Sequence, residues 1–173
     1  MSTPRSASRR GKSPRESRVE MVQLVLPNDA NTMGNVLGGR VLHWIDLAAA
    51  IVAHRHCRSE AVTASMDQVS FLAAIRVGQL AVITARLTFV GRTSMEIRVD
   101  VQSEDLLSGE RRQTSTAYLT FVAVDGKGHP ALVPPLLYET EEEKREARAA
   151  EARRAQRLQG RPGIPTAREI HHR

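Results

Sequence analysis

The chain has 173 residues, a net charge of +6 and a single cysteine, which allows one domain with its own core and leaves no material for a disulfide framework. The charge sits at the ends: residues 1–20 carry +4, residues 139–173 carry +2, and residues 21–138 are neutral with ten basic and ten acidic side chains, which argues against a nucleic-acid partner for the domain. No apolar run reaches the roughly 18–20 residues of a membrane span and no secretory segment opens the chain, so a cytoplasmic protein without a membrane partner is expected.

Residues 1–20 are rich in Arg and Ser and are broken by Pro4, Gly11 and Pro14, so they read as a disordered basic tail rather than a transit peptide. "EMVQLVLP" reads as a short strand ended by Pro27, and "NDANTMGNVLGG" is turn chemistry throughout. From Gly39 to about His56 the pattern is helical, roughly 27 Å long at 1.5 Å per residue. Val41, Leu42, Trp44, Ile45, Leu47, Ala48, Ile51 and Val52 cover nearly every face, which predicts a helix buried on most sides.

The period then changes to two. "AVTASMDQVSF", the alternating run from Leu80, "RTSMEIRVDVQ" and "TSTAYLTFVAV" read as four long strands. In the third, Met95, Ile97, Val99 and Val101 share one face and Glu96, Arg98 and Asp100 the other. Short, turn-rich links favour antiparallel meander connections over crossovers. "ETEEEKREARAAEARRAQRLQ" reads as a solvated helix capped by Thr140, with acids first and arginines last. The expected organisation is a basic tail over 1–20, one domain over 21–138, and a charged helix and tail over 139–173. The economical packing is an α+β fold, one long central helix wrapped by a curved antiparallel sheet, whose edges invite a second copy and hence a dimer.

One carboxylate, Asp46, interrupts the apolar helix. Burying a lone charge is costly unless it is paired or at work. The helix N-terminal amides around Gly38, Gly39 and Arg40 lack intrahelical partners and carry the positive end of the dipole, a place for an oxygen gaining negative charge. Asp46 lies two turns beyond Gly39, and Ala49, Ala50 and Ala53 are small enough to leave a slot for a slender chain. That arrangement suits hydrolysis of an acyl compound. Pairing of Asp46 with an Arg, or a hydrogen bond at an interface, is the competing reading, and the residue pattern leaves both open.

"NDANTMGNVLGGRVLHWIDLAAAIVAHRHC", "SFLAAIRVGQL", "VGRTSMEIRVDVQSEDLLSGE" and "VPPLLYETEEEKREARAAEARRAQRLQ" resemble, in that order, the hotdog-fold acyl-CoA thioesterases of the brain-type acyl-CoA hydrolases and their single-domain bacterial relatives. The resemblance spans about residues 21–158. It implies hydrolysis of acyl-CoA to a carboxylic acid and free CoA with no metal or cofactor, CoA entering only as part of the substrate. It also implies homodimers with active sites at the interface, often assembled as a trimer of dimers. Carried over by position, the catalytic residues are Asp46, as general base on a water, and Asn31, orienting that water or the thioester. The Gly38 and Gly39 amides would polarise the carbonyl. The block with Arg92, Thr93 and Ser94 would meet CoA, where a guanidinium suits a phosphate. The alternative is a non-catalytic hotdog module that binds acyl-CoA to regulate something else, which would have no need of Asp46 and Asn31 together.

His54, His56 and Cys57 fall at i, i+2 and i+3 and do not converge on one helix face, so no metal site is expected. Cys57 reads as a structural thiol. His43 lies three residues before Asp46, within pairing distance on a helix, and reads as structural.

Overall fold

The computed structural model describes residues 10–159. A 20-residue helix, α1 (Gly38–Cys57), follows a short strand β1 (Val19–Leu24) and precedes four long ones: β2 (Glu60–Phe71), β3 (Leu80–Val90), β4 (Ser94–Glu104) and β5 (Arg111–Val124). A second helix, α2 (Glu141–Gln159), closes the described chain. The strands form one curled antiparallel sheet in the order β1-β3-β4-β5-β2. This is the hotdog architecture, α+β, with α1 on the concave face.

The period-two pattern of β4 carries through: Met95, Ile97, Val99 and Val101 are buried against α1, beside Ala81, Ile83, Ala85 and Leu87 of β3 and Ala117, Leu119 and Phe121 of β5. The helix contributes Val41, Trp44, Ile45, Ala48, Ala49, Val52 and Ala53, a stripe at the 3–4 residue spacing of one helix face. The opposite side is open. His43 is exposed and Leu47 is 43% exposed, so burial on most sides is corrected to burial on the sheet side. A sheet curled round one side of a helix leaves the other bare.

The meander expected of the links holds for β3, β4 and β5, but β2 departs from it. The segment 72–79 carries the chain across the helix N-terminus, so β2 pairs with β5 at the far edge instead of with β3. β1 and β2 are the two edges.

The described part of the expected N-terminal tail is built into the fold from Lys12 onward; residues 1–9 of that tail lie outside the described residues. Lys12 exchanges backbone hydrogen bonds with Pro135 and Leu137, and its ammonium donates to the His56 carbonyl at 2.6 Å. A cation there meets unpaired carbonyls at the negative end of the α1 dipole, which gives a basic "tail" residue a fixed place.

α2 lies on the outer face of the sheet. Its Ala147 and Ala150 are buried, and its charges pair with the polar face of the strands. Glu146 takes Arg86 at 2.6 Å and Arg98 at 2.9 Å, while Arg153 takes Glu96, which is 2% exposed, at 2.7 Å. Arg157 reaches Asp67 of β2 at 2.5 Å. The helix therefore lies on the body, and the remainder of the C-terminal tail, residues 160–173, is outside the described residues. Among the described residues no helix is long and apolar enough to cross a membrane.

Candidate active site

The loop before α1 is organised by Asn31. Its Oδ1 accepts the backbone N–H groups of Met33 (3.0 Å) and Asn35 (3.1 Å), and its own N–H donates to the Asn35 carbonyl. Such a side-chain turn is what Asn does best. Gly34 closes it at φ +75, a conformation that favours glycine. With Oδ1 committed to the loop, Asn31 Nδ2 donates to no described residue and borders a cleft of about 380 Å³.

Two further backbone bonds, Val36 N–H to the Ile75 carbonyl (2.8 Å) and Val77 N–H to the Gly34 carbonyl (3.0 Å), fix this loop against the segment after β2. The Leu37 N–H donates to Asp29, and α1 starts at once with Leu37 as its N-cap. Leucine offers no oxygen, so the helix start has no side-chain cap. The Arg40 and Val41 amides both turn back to the Leu37 carbonyl. The Gly38 and Gly39 amides have no acceptor among the described residues. A Cβ at Gly39 would meet nothing within 4 Å, and one at Gly38 only the Phe71 ring at 3.8 Å. Two free donors thus stand at a dipole's positive end, and that of Gly38 borders the same cleft as Asn31.

Arg40, expected among these donors, is not available. Its N–H is taken by Leu37 and its guanidinium holds Asp29 at 3.0 Å, so it braces the loop.

Asp46 lies on the half-open side of α1, partly buried, and accepts a hydrogen bond of 2.9 Å from Thr63 Oγ1 on β2. It does not line the cleft that holds Asn31. One chain therefore keeps its carboxylate apart from its Asn31 and Gly38 donors. His43, three residues earlier, is exposed and makes no hydrogen bond to Asp46.

Of the three alanines expected to line an acyl slot, Ala49 and Ala53 are fully buried in the core between helix and sheet, and only Ala50 is partly open. The three residues share one side of the helix, within about 60° of each other, but Ala49 and Ala53 pack into the core while Asp46 stands at its margin beside β2. Ala49 and Ala53 are structural.

The 90–94 turn holds Arg92 exposed, with the Thr93 and Arg92 carbonyls tied to Ala123 and Val133. It sits where β2 begins, since Ser94 faces Val122 and Val122 faces Val62. The cleft is at the other end of the sheet, beside Phe71 and Ser115. Arg92, Thr93 and Ser94 therefore stand apart from the Gly38 amides by about the length of α1, roughly 30 Å at 1.5 Å per residue.

The histidine cluster points three ways. His54 Nδ1 meets the Ala50 carbonyl at 2.7 Å, Cys57 Sγ donates to Ser59, and His56 is buried between the Pro134 carbonyl (2.9 Å) and Ser17 Oγ (3.3 Å). Burial, reinforced by the Lys12 ammonium and opposed by the Pro134 hydrogen bond, lowers the His56 pKa below its ordinary value.

Thr63, whose hydroxyl holds Asp46, is a contact that the sequence pattern hides. Strict alternation puts Thr63, Ser65 and Asp67 on one polar face. A register shift between Thr63 and Ser65 breaks the alternation, so Thr63 pairs with core-facing Phe121 while Asp67 pairs with Tyr118 on the outer face.

The sequence profile of the thioesterase superfamily matches residues 33–110. An uncharacterized acyl-CoA thioester hydrolase of Bacillus subtilis is 45% identical over 129 residues, 75% of this chain and 75% of that protein. The cytosolic acyl coenzyme A thioester hydrolase of Homo sapiens is 38% identical over 131 residues, and the chain spans 34% of its length. Among solved structures, a hexameric acyl-CoA thioesterase superposes with a TM-score of 0.84 at 43% identity, over 87% of this chain and 96% of that one. An acyl-CoA hydrolase of Staphylococcus aureus in complex with butyryl coenzyme A and coenzyme A superposes with a TM-score of 0.79 at 35% identity, over 86% and 93%. Variants of the Staphylococcus enzyme with alanine at one Asn, one Asp and one Thr have also been solved, and those three residues are spaced by 15 and 17 positions. Asn31, Asp46 and Thr63 have the same spacing.

Proposed function

Because the chain belongs to the thioesterase superfamily, among its acyl-CoA thioester hydrolases, we propose that it hydrolyses acyl-CoA to a carboxylic acid and free CoA, with Asp46, Asn31, Thr63 and the Gly38 and Gly39 amides as the working groups. The observation that carries this reading is the uncapped start of α1: the Gly38 amide and the side-chain Nδ2 of Asn31 border one cleft, with the free Gly39 amide next in the chain. Those are the donors an oxyanion requires. The spacing shared with the Staphylococcus variants supports the inclusion of Asn31, Asp46 and Thr63.

In this mechanism Asp46, held by Thr63, removes a proton from water as the hydroxyl oxygen bonds to the thioester carbon. Negative charge on the carbonyl oxygen is met by the Gly38 and Gly39 amides and Asn31 Nδ2. As the carbonyl re-forms, the C–S bond breaks and the thiolate of CoA leaves, taking up a proton. Water is the only co-reactant, so the reading calls for no cofactor.

Since one chain separates Asp46 from the Asn31 cleft, the complete site is assembled from two copies, Asn31 and the amides from one and Asp46 with Thr63 from the other. The open side of α1, with Leu47 exposed, is the face a second copy would cover, and a trimer of such dimers accords with the hexameric relative. In such an assembly Arg92, Thr93 and Ser94 can serve only a CoA bound across a subunit boundary, and Ala50 remains the one alanine open to an acyl chain. Release of free thiol from a panel of acyl-CoAs, followed with a thiol reagent, tests the activity. Thiol release that depends on enzyme concentration is expected. Binding of acyl-CoA without release at any chain length would favour a regulatory module instead.

A further inference from the structure

The middle of β2 has little within the sheet to fix it. β2 is an edge strand, paired only with β5 in one chain, and its ladder slips twice, between Thr63 and Ser65 and between Asp67 and Ser70. Each slip disrupts the regular ladder locally. Ser65, Met66 and Asp67 are left as a short paired stretch opposite Thr120, Leu119 and Tyr118, with Thr63 just beyond the first slip. Thr63 is the residue whose hydroxyl holds Asp46. A carboxylate set by a residue at a slip is only as well placed as the strand around it.

What fixes this stretch comes from outside the sheet. Arg157, in the last turn of α2, donates through Nη1 to Asp67 Oδ2 and, at 3.4 Å, to Glu96 Oε2. Glu96 is buried on the central strand β4, where Thr88 Oγ1 (2.8 Å) and Arg153 Nη2 (2.7 Å) also donate to it. Arg153 lays its guanidinium over the ring of Tyr118, the β5 partner of Asp67, 3.9 Å from the centroid. One cation thus ties the irregular edge strand to the anchored central strand, across β5. Among the described residues Asp67 is the only β2 side chain that bonds to α2. Arg157 is 18% exposed and Asp67 25%, sheltered enough for the pair to hold more firmly than one on the open surface.

We propose that Arg157 is a positioning residue for the hydrolysis: through Asp67 it sets the β2 segment that carries Thr63, and through Thr63 the Asp46 carboxylate. The inference rests on the thioesterase reading. It gives α2 a part in turnover, although that helix lies on the opposite face of the sheet from α1.

The test reads kcat and KM for one acyl-CoA. In Arg157→Gln kcat falls about fivefold, within the roughly tenfold expected for loss of the Thr63 hydroxyl, while KM holds. Both contacts of Arg157 run through one nitrogen, so the single ammonium of Arg157→Lys can replace them and recovers most of kcat. In a Thr63→Val background Arg157→Gln brings no further loss, since the link it acts through is gone. Glu146→Gln, which loosens the other end of α2 at Arg86 and Arg98, keeps the parental kcat. An unchanged kcat in Arg157→Gln, an equal loss in Glu146→Gln, or the full additional loss on top of Thr63→Val overturns the assignment. Amide hydrogen exchange gives a readout that needs no turnover: in Arg157→Gln the amides of residues 61–67 exchange about tenfold faster and those of β3 do not change. Equal acceleration in both strands, or none in either, also overturns it. A parent that hydrolyses no acyl-CoA would sink the thioesterase reading, while the exchange would still decide whether Arg157 fixes β2.

Discussion

Thr63 Oγ1 donates to Asp46 Oδ1 at 2.9 Å, joining the edge strand β2 to the middle of the central helix. A hydroxyl bonded to one carboxylate oxygen fixes the carboxylate plane and leaves the other oxygen to face a water. Asp46→Asn is expected to fold, since Asp46 is only partly buried, and to lose about 10²–10⁴ in kcat, the usual range for a missing general base. Thr63→Val, which keeps the shape and removes the donor, is expected to lower kcat about tenfold. Thiol release under saturating acyl-CoA measures both. Activity within a few-fold of the parent in Asp46→Asn would remove it from the mechanism.

Asn31 has two jobs on two atoms, Oδ1 for the loop and Nδ2 for the cleft. Asn31→Asp keeps an acceptor for the Met33 and Asn35 amides, so the melting temperature is expected to hold while turnover collapses. Asn31→Ala loses both functions and is expected to melt lower as well, by the equivalent of about 1 kcal/mol or more for two lost bonds. Equal stability of the two variants would contradict the division of labour.

Mixing experiments read the assembly. If Asn31 and Asp46 meet across two subunits, co-refolding equal amounts of Asn31→Ala and Asp46→Ala is expected to restore roughly a quarter of parental activity, because about half the dimers are mixed and each has one intact site. No recovery would place both residues of a site in one chain.

Gly39→Ala should separate stability from activity. The position is helical and open, with nothing within 4 Å of a Cβ, so alanine is expected to stabilise by roughly 0.5–1 kcal/mol. The same methyl stands beside the free amides and is expected to lower kcat/KM. A variant that is both more stable and fully active would show that the substrate does not approach this backbone.

His56 predicts an acid limb of stability. Its pKa is lowered by burial in the folded state, so the unfolded chain binds the extra proton first as pH falls. The stabilisation from a neutral His56 is complete above the unfolded value near 6.5 and is lost as pH falls below it toward the folded value. Urea midpoints measured from about pH 7.5 to about pH 5 are expected to decline, and His56→Gln to flatten that decline. A parent midpoint constant over this range would rule out the linkage.

Much of this was legible in the residues. β4 announced its buried face through Met95, Ile97, Val99 and Val101, and α1 its extent through an apolar run between a Gly pair and a basic end. What escaped had physical reasons. Thr63 was concealed because one extra residue in β2 reverses which side chains face the helix. Ala49 and Ala53 look like room for a ligand, but a close-packed core uses small residues to let a sheet approach a helix. Arg40 shares its spacing with the two glycines, and only the path of its chain shows that Leu37 and Asp29 occupy it. Lys12 looked like tail because the helix end it meets is 44 residues away.

The strand order has a consequence for how the molecule comes together. β2 finds its partner only in β5, with Phe71 opposite Ser115 and Glu60 opposite Val124, so its ladder closes across long stretches of chain. Loops of that length must be ordered before any of these contacts form, which makes this the slow part of folding. During synthesis α1 and β2 emerge ahead of the strands that cover them, and the local Thr63–Asp46 bond is available while the sheet is still incomplete. The pair that positions the carboxylate in the finished molecule is thus also placed to hold the early helix and strand in register until the last strand arrives.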